Sequence, residues 1–376
     1  MSRGDIPYGA AQTCVDSRVA HVGPLGPGLS AAAGMIPSMS SMRAATWAGA
    51  RTVEVVDLPV SEPAPGWVRL RVAGAGICGS DLHTYRRGGP SGGTPGHEVG
   101  GVVEAVGEGV ALAPGTNVAV EPVAVCLSCH ECLTGNTWHC LKRVFLGGDG
   151  AGGMAEQMLA PATSVYPLPA RVPAEAGSLG EPVGVAVHAV SEAGVRLGSR
   201  VAILGAGTVG LVNILTARRA GATEVYVTAR HPFQAEMARA LGATATFPDG
   251  TTAAKELSGT PIDAVIETVG GSAPTIAEGI ALVRNRGTVV VLGAFSAEVP
   301  LPATPLLLKE VRLVGAVCYG RTGPRTEFGL AVDLLDEFVD ELAPLVTHTF
   351  PLDRAAEAFA TADDKSSGSI KVRLLP

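Results

Sequence analysis

The chain has 376 residues and a net charge of −7, with 47% hydrophobic and 17% charged residues. A chain of this length is too long to fold around one ordinary hydrophobic core, which predicts two domains. The sequence has no block of basic residues and no apolar run long enough to cross a membrane. Composition therefore gives no reason to expect a nucleic-acid or a membrane partner.

The N-terminal segment differs in composition from the rest of the chain. Residues 1–41 are rich in Gly, Pro, Ser and Ala and show no strand or helix periodicity, which predicts a disordered extension. They carry little positive charge and lack an apolar core of about 7–15 residues, so they are not typical of a signal peptide. Alternatively, the biological start lies near Met39 or Met42.

From residue 42 to about residue 179 the pattern is mostly β. Short alternating or apolar runs at 52–56, 68–72, 99–106 and 117–120 are separated by Pro and Gly turns. These runs predict a compact, irregular β-domain with the chemically active residues on its loops.

The region that begins at Cys78 and ends at Glu98 combines residue types that bind metal and move protons. It reads C-G-S-D-L-H, then a Gly-rich run, then G-H-E. Cys78 and His97 offer the thiolate and imidazole that zinc prefers, with Glu98 adjacent. Ser80 and His83 could carry a proton away from a bound alcohol. The alternative is a buried cysteine and a histidine that only caps a loop.

The cysteine spacing predicts a second metal site. Of seven cysteines, four lie on one loop: Cys126, Cys129, Cys132 and Cys140. Four thiolates suit a closed tetrahedral zinc site with a role in folding, and they leave His130 and His139 on the loop surface. An odd cysteine count with this clustering is typical of a reducing compartment, so we expect a cytoplasmic protein.

Glu181 is a lone carboxylate among apolar residues, within L-G-E-P-V-G. Burying it without a partner is costly, and a zinc ion held by Cys78 and His97 would be such a partner. Catalytic zinc takes three protein ligands, which favours Glu181 as the third. The alternative is a helix-start carboxylate before Pro182. His188 is predicted to pack in the helix and not to bind metal.

After residue 199 the pattern changes to strand, Gly-rich turn and helix. An apolar strand leads into G-x-G-x-x-G at Gly205, Gly207 and Gly210, and an amphipathic stretch follows at 211–220. This context is typical of the dinucleotide fingerprint, whose glycines admit a pyrophosphate against a helix N-terminus. Further predicted elements are a helix at 233–241 and strands at 224–227, 264–268, 288–292 and 311–316. Together they indicate an α/β fold with a doubly wound parallel sheet.

The end of the second strand of this sheet bears on the choice of cofactor. Ala229 stands where the fingerprint expects an acid that binds the ribose 2′-hydroxyl. This position therefore lacks a carboxylate that would repel the 2′-phosphate of NADP. Arg230 can bind that phosphate, so NADP is favoured over NAD. The alternative is that Arg230 is a solvated helix-start residue and NAD still binds. Further cofactor contacts are predicted at Thr208, Val209, Thr268 and Leu292.

After about residue 317 the sheet pattern ends. Helices are predicted at 330–338 and 355–360 and a final strand at 369–375. We expect this segment to rejoin the β-domain. The nucleotide-binding part would then be an insertion, with a cleft between the two parts.

With these motifs placed, the chain resembles the zinc-dependent medium-chain dehydrogenase/reductase family over essentially residues 42–376. The resemblance rests on C-G-S-D-L-H, G-H-E, the four-cysteine loop, E-P-V-G and G-x-G-x-x-G. It implies hydride transfer between an alcohol and a nicotinamide, in a homodimer or homotetramer. The implied domains are a GroES-like catalytic domain at 42–182 with the zinc lobe 126–140, a Rossmann domain at 183–318 and a return to the catalytic domain at 319–376. The N-terminal extension has no counterpart in the family.

Two residues favour one branch of this family. Glu181 stands where many alcohol dehydrogenases have a Cys, and Gly79 replaces an Arg that they use on the cofactor phosphate. At both positions the chain resembles the polyol, sugar and threonine dehydrogenases. The absence of an acid at Ala229 departs from the NAD-using majority of that branch. The substrate implied is a secondary alcohol of polyol, sugar or cyclitol type; the alternative is threonine or a simple alcohol, with NAD.

As a hypothesis, zinc at the Cys78 site binds the substrate hydroxyl as a Lewis acid, which together with the cysteine loop gives two zinc ions per chain. Ser80 takes the hydroxyl proton and passes it towards His83 and solvent. Glu98 lies behind the ligands or exchanges with water on the metal, and the sequence leaves both open. Asp81 orients neighbouring backbone.

Two rival functions are less favoured. A zinc-free reductase acting on quinones or enones would lack the ligand clusters, which are present. A non-catalytic nucleotide-binding protein would keep the fingerprint with damaged ligands, yet all the expected ligands are present. Tyr85 and Phe145 are candidates to line the substrate pocket, with simple packing as the alternative.

Overall fold

The computed structural model describes residues 40–148 and 151–376. The predicted disordered extension lies outside the described residues except at its last two positions, where the first strand begins. The strands are β1 (Ser41–Gly49), β2 (Thr52–Pro59), β3 (Trp67–Gly76), β4 (Glu98–Val106), β5 (Asn117–Val120), β6 (Val123–Ala124), β7 (Val144–Phe145), β8 (Gln157–Pro161), β9 (Val165–Pro167), β10 (Arg200–Leu204), β11 (Glu224–Thr228), β12 (Ala245–Phe247), β13 (Ile262–Glu267), β14 (Val283–Val291), β15 (Arg312–Gly315), β16 (Arg321–Thr322), β17 (Arg325–Thr326), β18 (Val346–Pro351) and β19 (Lys371–Leu375).

Most of the helices lie in the second half of the chain. The α-helices are α1 (Gly79–Arg87), α2 (His130–Leu133), α3 (Gly180–Glu192), α4 (Thr208–Arg219), α5 (Pro232–Ala240), α6 (Gly250–Glu256), α7 (Thr275–Leu282), α8 (Ala303–Leu308), α9 (Glu327–Glu337), α10 (Val339–Leu342) and α11 (Ala355–Asp363). Short 3₁₀ turns fill several connections, including Lys365–Ser367 between α11 and β19.

The first half of the chain and its C-terminal strands share one sheet of seven strands. Its order is β18-β19-β3-β4-β5-β9, with β8 also paired to β3. In the register of this sheet, Gly76 faces both Glu98 on β4 and Arg373 on β19. A Cβ atom on Gly76 would lie 2.1 Å from a Glu98 carboxylate oxygen, so only glycine leaves room for that side chain. The ends of three strands therefore meet around Glu98.

The second sheet has six parallel strands in the order β12-β11-β10-β13-β14-β15. Residues of β10, β11 and β13 are almost all buried, because helices cover both faces. In chain order these six strands run 3-2-1-4-5-6, the order of a doubly wound dinucleotide-binding fold, which confirms the predicted fold class. The turn after β10 carries the G-x-G-x-x-G motif into α4.

The predicted elements are confirmed with shifts of a few residues at their ends. The strand predicted at 117–120 is observed unchanged as β5, whereas that at 288–292 starts earlier, as β14. The predicted helices at 211–220 and 330–338 begin three residues earlier, as α4 and α9. The predicted domain boundaries stay a prediction. Among the described helices, none combines the length and apolarity that a membrane span requires.

Candidate active site and metal centres

Cys78, His97 and Glu98 come together at the ends of neighbouring strands. Cys78 caps α1 just after β3, and His97 immediately precedes β4, whose first residue is Glu98. One ligand atom from each lies within 4.8 Å of the other two. His97 and Glu98 are buried, whereas Cys78 is partly exposed. The group combines a thiolate, an imidazole and a carboxylate, a donor set that suits a catalytic zinc ion with an open position.

Asp81 fixes the orientation of two of these ligands. Its Oδ2 accepts a hydrogen bond from the backbone N–H of Cys78 at 2.9 Å, as predicted for a residue that orients backbone. Its Oδ1 also lies 3.4 Å from Nδ1 of His97. Burial opposes charge on the imidazole, but Asp81 and Cys78 outweigh it and raise the pKa of His97 well above its usual range. Such a carboxylate behind a metal-binding histidine sets its ring orientation.

Glu98 forms a buried ion pair with Lys371 that the sequence analysis missed. Nζ of Lys371 lies 2.7 and 2.6 Å from the two Glu98 carboxylate oxygens and donates to the carbonyl of Ile77 at 3.1 Å. Both side chains are almost fully buried. Two such charges cannot be buried separately without a large desolvation penalty, so each holds the other in the site. The pair is separated by 273 residues along the chain.

Glu181 is buried in the first turn of α3 but lies outside the group of three ligands. Burial raises the pKa of Glu181 to about 7, and His97, Glu98, Lys371 and Asp81 act on it electrostatically. It therefore lies close to the group. The structure thus places two glutamates at this centre, and Glu98 is the one with an oxygen among the clustered ligand atoms.

Ser80 and His83 lie on the first turns of α1, beside the ligands. The Ser80 hydroxyl oxygen is 3.4 Å from Nε2 of His97. His83 is half-buried, and its burial together with the charges of Arg86 and Arg87 lowers its pKa. Within residues 40–148 and 151–376 no hydrogen bond joins Ser80 to His83, so a proton would need a bridging hydroxyl or water between them.

A cleft of about 400 Å³ joins the ligand group to the dinucleotide fingerprint. Of the predicted site residues, its lining includes Cys78, His83, Glu98, Gly207, Thr208, Val209, Gly210 and Thr268. Ser80, His97, Glu181, Gly205, Ala229, Arg230 and Leu292 are not part of the lining. It also includes three cations that the sequence analysis did not single out: Arg86, Lys365 and Lys371. A single cleft thus serves both predicted sites.

The fingerprint loop has a backbone geometry that favours glycine at two of its three glycine positions. Gly205 has φ +104°, which strongly favours glycine, and a Cβ atom on Gly210 would lie 2.0 Å from the Gly205 carbonyl oxygen. A Cβ atom on Gly207 would meet no protein atom within 4 Å, so open space lies beside the N-terminus of α4. A nucleotide diphosphate fits such a space, where helix N–H groups are free to donate.

The four-cysteine loop has the spacing of a zinc-thiolate centre. The Sγ atoms are 3.5 Å apart for Cys129 and Cys132, 3.6 Å for Cys126 and Cys140, and 4.0 Å for Cys126 and Cys132. Sulfurs around a tetrahedral zinc ion at about 2.3 Å are ~3.8 Å apart. Hydrogen bonds from Ser128 and the backbone lower the pKa of Cys126 to about 5, whereas burial raises that of Cys132 to about 12. The donor set and spacing fit one closed zinc site.

Comparison with known proteins agrees with these features. Residues 64–170 match the alcohol dehydrogenase GroES-like domain, and residues 208–337 match the zinc-binding dehydrogenase domain. The chain is 35% identical over 334 residues to a sorbitol dehydrogenase of Gallus gallus, covering 84% of this chain and 91% of that protein. It is 32% identical to an L-threonine 3-dehydrogenase of Bacillus subtilis, covering 87% and 96%. The chain belongs to the zinc-dependent medium-chain dehydrogenase/reductase family.

A solved structure of this family shows the same overall arrangement. A zinc-binding dehydrogenase of Sinorhizobium meliloti, bound to NADP, is 29% identical with a TM-score of 0.81, covering 90% of this chain and 100% of that one. In this chain the two candidate metal-ligand groups lie within residues 64–170, which match the GroES-like domain, and the fingerprint follows β10 of the parallel sheet.

The end of β11 has the features from which the cofactor was predicted. Ala229 is buried, and its N–H donates to the carbonyl of Phe247 at 2.8 Å. Arg230 is exposed and forms no hydrogen bond or ion pair among the described residues. Thr228, which was not predicted, accepts a hydrogen bond from the Gly205 N–H at 2.9 Å and so fixes the fingerprint loop to the strand. Leu292 follows β14 and is half-buried.

The two aromatic candidates for the substrate pocket differ in their surroundings. Tyr85 is buried against Phe359 at a ring distance of 5.3 Å and belongs to the hydrophobic core, which agrees with the packing alternative. Phe145 lies 5.2 Å from the His97 ring, beside the metal ligands. Tyr319, which the sequence analysis missed, is buried near Glu181, and its hydroxyl has no hydrogen-bond partner within the described part of the chain.

Three further histidines, His188, His130 and His139, lie outside the candidate metal-ligand groups. Nδ1 of His188 lies 2.9 Å from Oε2 of Glu327, as suits a histidine packed within α3. His130 and His139 lie in the cysteine loop, but neither belongs to the four-thiolate group.

Proposed function

We propose that this protein is a zinc-dependent dehydrogenase that transfers hydride between a secondary alcohol and NADP. The observation that carries the proposal is the single cleft that joins Cys78 and Glu98 to the G-x-G-x-x-G loop. A substrate alcohol beside Cys78 and Glu98 and a nicotinamide held from the fingerprint loop would meet in such a cleft. Zinc, when bound there, supplies the Lewis acidity that lowers the pKa of a substrate hydroxyl.

For the catalytic zinc we assign Cys78, His97 and Glu98 as ligands, and the four cysteines of the loop hold the structural ion. The mutual approach of their ligand atoms supports Glu98 as the third ligand. Lys371 donates to both oxygens of the same carboxylate and so holds Glu98 in place beside Cys78 and His97. Glu181 is then free to hydrogen-bond a water molecule or a substrate hydroxyl beside the ligand group.

The proton leaves by way of Ser80 and His83. The Ser80 hydroxyl lies beside His97, where it can accept a hydrogen bond from a bound alcohol. His83 lines the cleft, and its burial together with the charges of Arg86 and Arg87 lowers its pKa, which favours the neutral imidazole that can accept a proton. Asp81 contributes by holding His97 and the Cys78 backbone in place.

The proposal of NADP rests on charge at the end of β11. A buried Ala229 offers no carboxylate against a 2′-phosphate, and Arg230 is unpaired within the described residues. The NADP-bound relative of Sinorhizobium meliloti supports this choice.

The proposed substrate is a polyol, sugar or cyclitol. Similarity to a sorbitol dehydrogenase supports this class. Similarity to an L-threonine 3-dehydrogenase supports threonine with NAD as the second candidate.

We further propose a homodimer in a reducing, cytoplasmic environment. β15 ends the parallel sheet with one edge unpaired among the described residues. Leu301, Leu307 and Leu308 lie exposed in the segment of the chain that leads into β15. An open edge flanked by exposed leucines is a surface that a second copy can cover.

The first test measures zinc content and the affinities for NADPH and NADH on purified protein, followed by polyol, sugar and threonine screens with both cofactors. We expect about two zinc ions per chain, tighter NADPH binding and turnover of a polyol or sugar. One zinc ion per chain would contradict the catalytic metal assignment, and tighter NADH binding would contradict the reading of Ala229 and Arg230.

A further inference from the structure

We propose that Lys365 binds the diphosphate of the nicotinamide dinucleotide. This inference rests on the proposed function and adds a charged side chain to a fingerprint loop that has none. Lys365 lies on the short 3₁₀ turn between α11 and β19 and lines the same cleft as Gly207 and Thr208.

The charges around the cleft single out this lysine. Three cations line it, and two of them already have carboxylate partners. Arg86 pairs with Asp363 at 2.7 Å, and Lys371 pairs with Glu98 at 2.6 Å. Nζ of Lys365 donates to the carbonyl of Ala362 at 2.8 Å and has no carboxylate within ion-pair distance in residues 40–148 and 151–376.

The neighbouring carboxylate is engaged elsewhere. Asp364 accepts hydrogen bonds from the N–H and the hydroxyl of Ser366, at 2.8 and 2.7 Å, so it caps the turn and does not pair with the lysine. Partial burial, followed by the charges of Lys371 and Arg86, lowers the pKa of Lys365. An anion in the cleft would offset that repulsion.

The segment that carries Lys365 is attached to the start of α4. The Thr208 hydroxyl donates to the carbonyl of Ile370 at 3.0 Å, and both residues line the cleft. The loop and the lysine are therefore parts of one cleft wall. The α4 N-terminus offers N–H donors and a partial positive charge to a diphosphate, and a lysine ammonium adds a full charge as a point donor.

Lys365→Gln tests the inference by direct binding, without turnover. Zinc-loaded full-length protein is titrated with NADPH, NADH and ADP-ribose by calorimetry at low ionic strength. We expect Kd to rise about tenfold or more for all three ligands, because all three carry the diphosphate. Lys365→Arg should restore most of the affinity. Lys255→Gln, an exposed lysine on α6 away from the cleft, is the matched control and should stay within twofold.

Two results would overturn the inference while leaving the proposed function intact. One is an unchanged Kd for ADP-ribose in Lys365→Gln. The other is a loss confined to NADPH, which would place the lysine at the 2′-phosphate. If the unaltered protein binds none of the three ligands, the proposed function itself fails.

Discussion

At the scale of single residues, the hydroxyl of Ser80 is the proposed proton acceptor, and α1 places it 3.4 Å from Nε2 of His97. We expect Ser80→Ala to lower kcat by about 100-fold, a typical contribution of a general acid–base group, while the Kd for NADPH changes less than twofold. Thr84→Ala is the control, because its hydroxyl lies one turn further and only bonds the Ser80 carbonyl. Equal losses in turnover and cofactor binding would contradict a role in proton transfer.

Glu121 gives a pH-dependent contribution to stability. Burial raises its pKa to about 7, although the Tyr166 hydroxyl donates to it at 2.8 Å. The folded state therefore keeps a proton that the unfolded chain releases near pH 4.3. As pH rises between about 4.3 and 7, the folded state binds more protons than the unfolded one, so this residue progressively lowers the free energy of unfolding.

The Glu121→Gln variant isolates that contribution. Between pH 5 and 8 we expect the free energy of unfolding of the unaltered protein to fall by about 2–3 kcal/mol relative to the variant. Urea unfolding of the zinc-loaded proteins at both pH values measures the difference. Glu108→Gln, at an exposed position, should track the unaltered protein. Parallel pH dependence of Glu121→Gln and the unaltered protein would contradict the raised pKa.

At the scale of elements, two glycines of the fingerprint loop have different reasons to be glycine. Gly210→Ala would force a Cβ atom against the Gly205 carbonyl, so we expect a loss of about 1–3 kcal/mol in stability. Gly207→Ala meets no protein atom, so Tm should be unchanged while the Kd for NADPH rises at least ~10-fold as the methyl group enters the diphosphate space. Thermal unfolding and calorimetry separate the two effects. Unchanged NADPH affinity in Gly207→Ala would show that the cofactor lies elsewhere.

The cysteine loop should act as an independent metal-binding element. We expect Cys132→Ser to lower zinc content from about two ions per chain to one and to lower Tm, because the metal stabilises the folded loop. NADPH affinity should stay within twofold. Leu141→Ser, an exposed neighbour, is the control. Retention of two zinc ions per chain in Cys132→Ser would contradict the closed site.

The elements and ligands that could be predicted from sequence share a local signal. β5 is an apolar run between turns, the fingerprint follows a buried strand, and the cysteines lie close in sequence. Lys371 could not be predicted as a partner of Glu98, because only the pairing of β19 with β3 and of β3 with β4 brings them together. For Tyr85 both pocket lining and packing stayed open, because the sequence does not show which side of α1 faces Phe359. The missing information was long-range contact.

At the scale of the whole molecule, the edge of β15 should control assembly. We expect the unaltered protein to be a dimer or larger and Leu308→Glu to shift it to monomer, because a charge would be buried in the interface. Size-exclusion chromatography with light scattering measures the mass. Leu197→Glu, at a leucine that is 90% exposed and far from that edge in the chain, is the control. A dimer that persists in Leu308→Glu would contradict an interface on this face.

The Glu98–Lys371 pair also has a consequence for the order in which the protein is made. A ribosome synthesises Glu98 long before Lys371, which follows 273 residues later. Until that lysine emerges, the carboxylate has no counter-ion and must remain hydrated or protonated. The parallel sheet, β10 to β15, is complete in the nascent chain well before β19. Folding during translation would therefore finish the nucleotide-binding part first, and the catalytic centre would close only when the last strand joins β3.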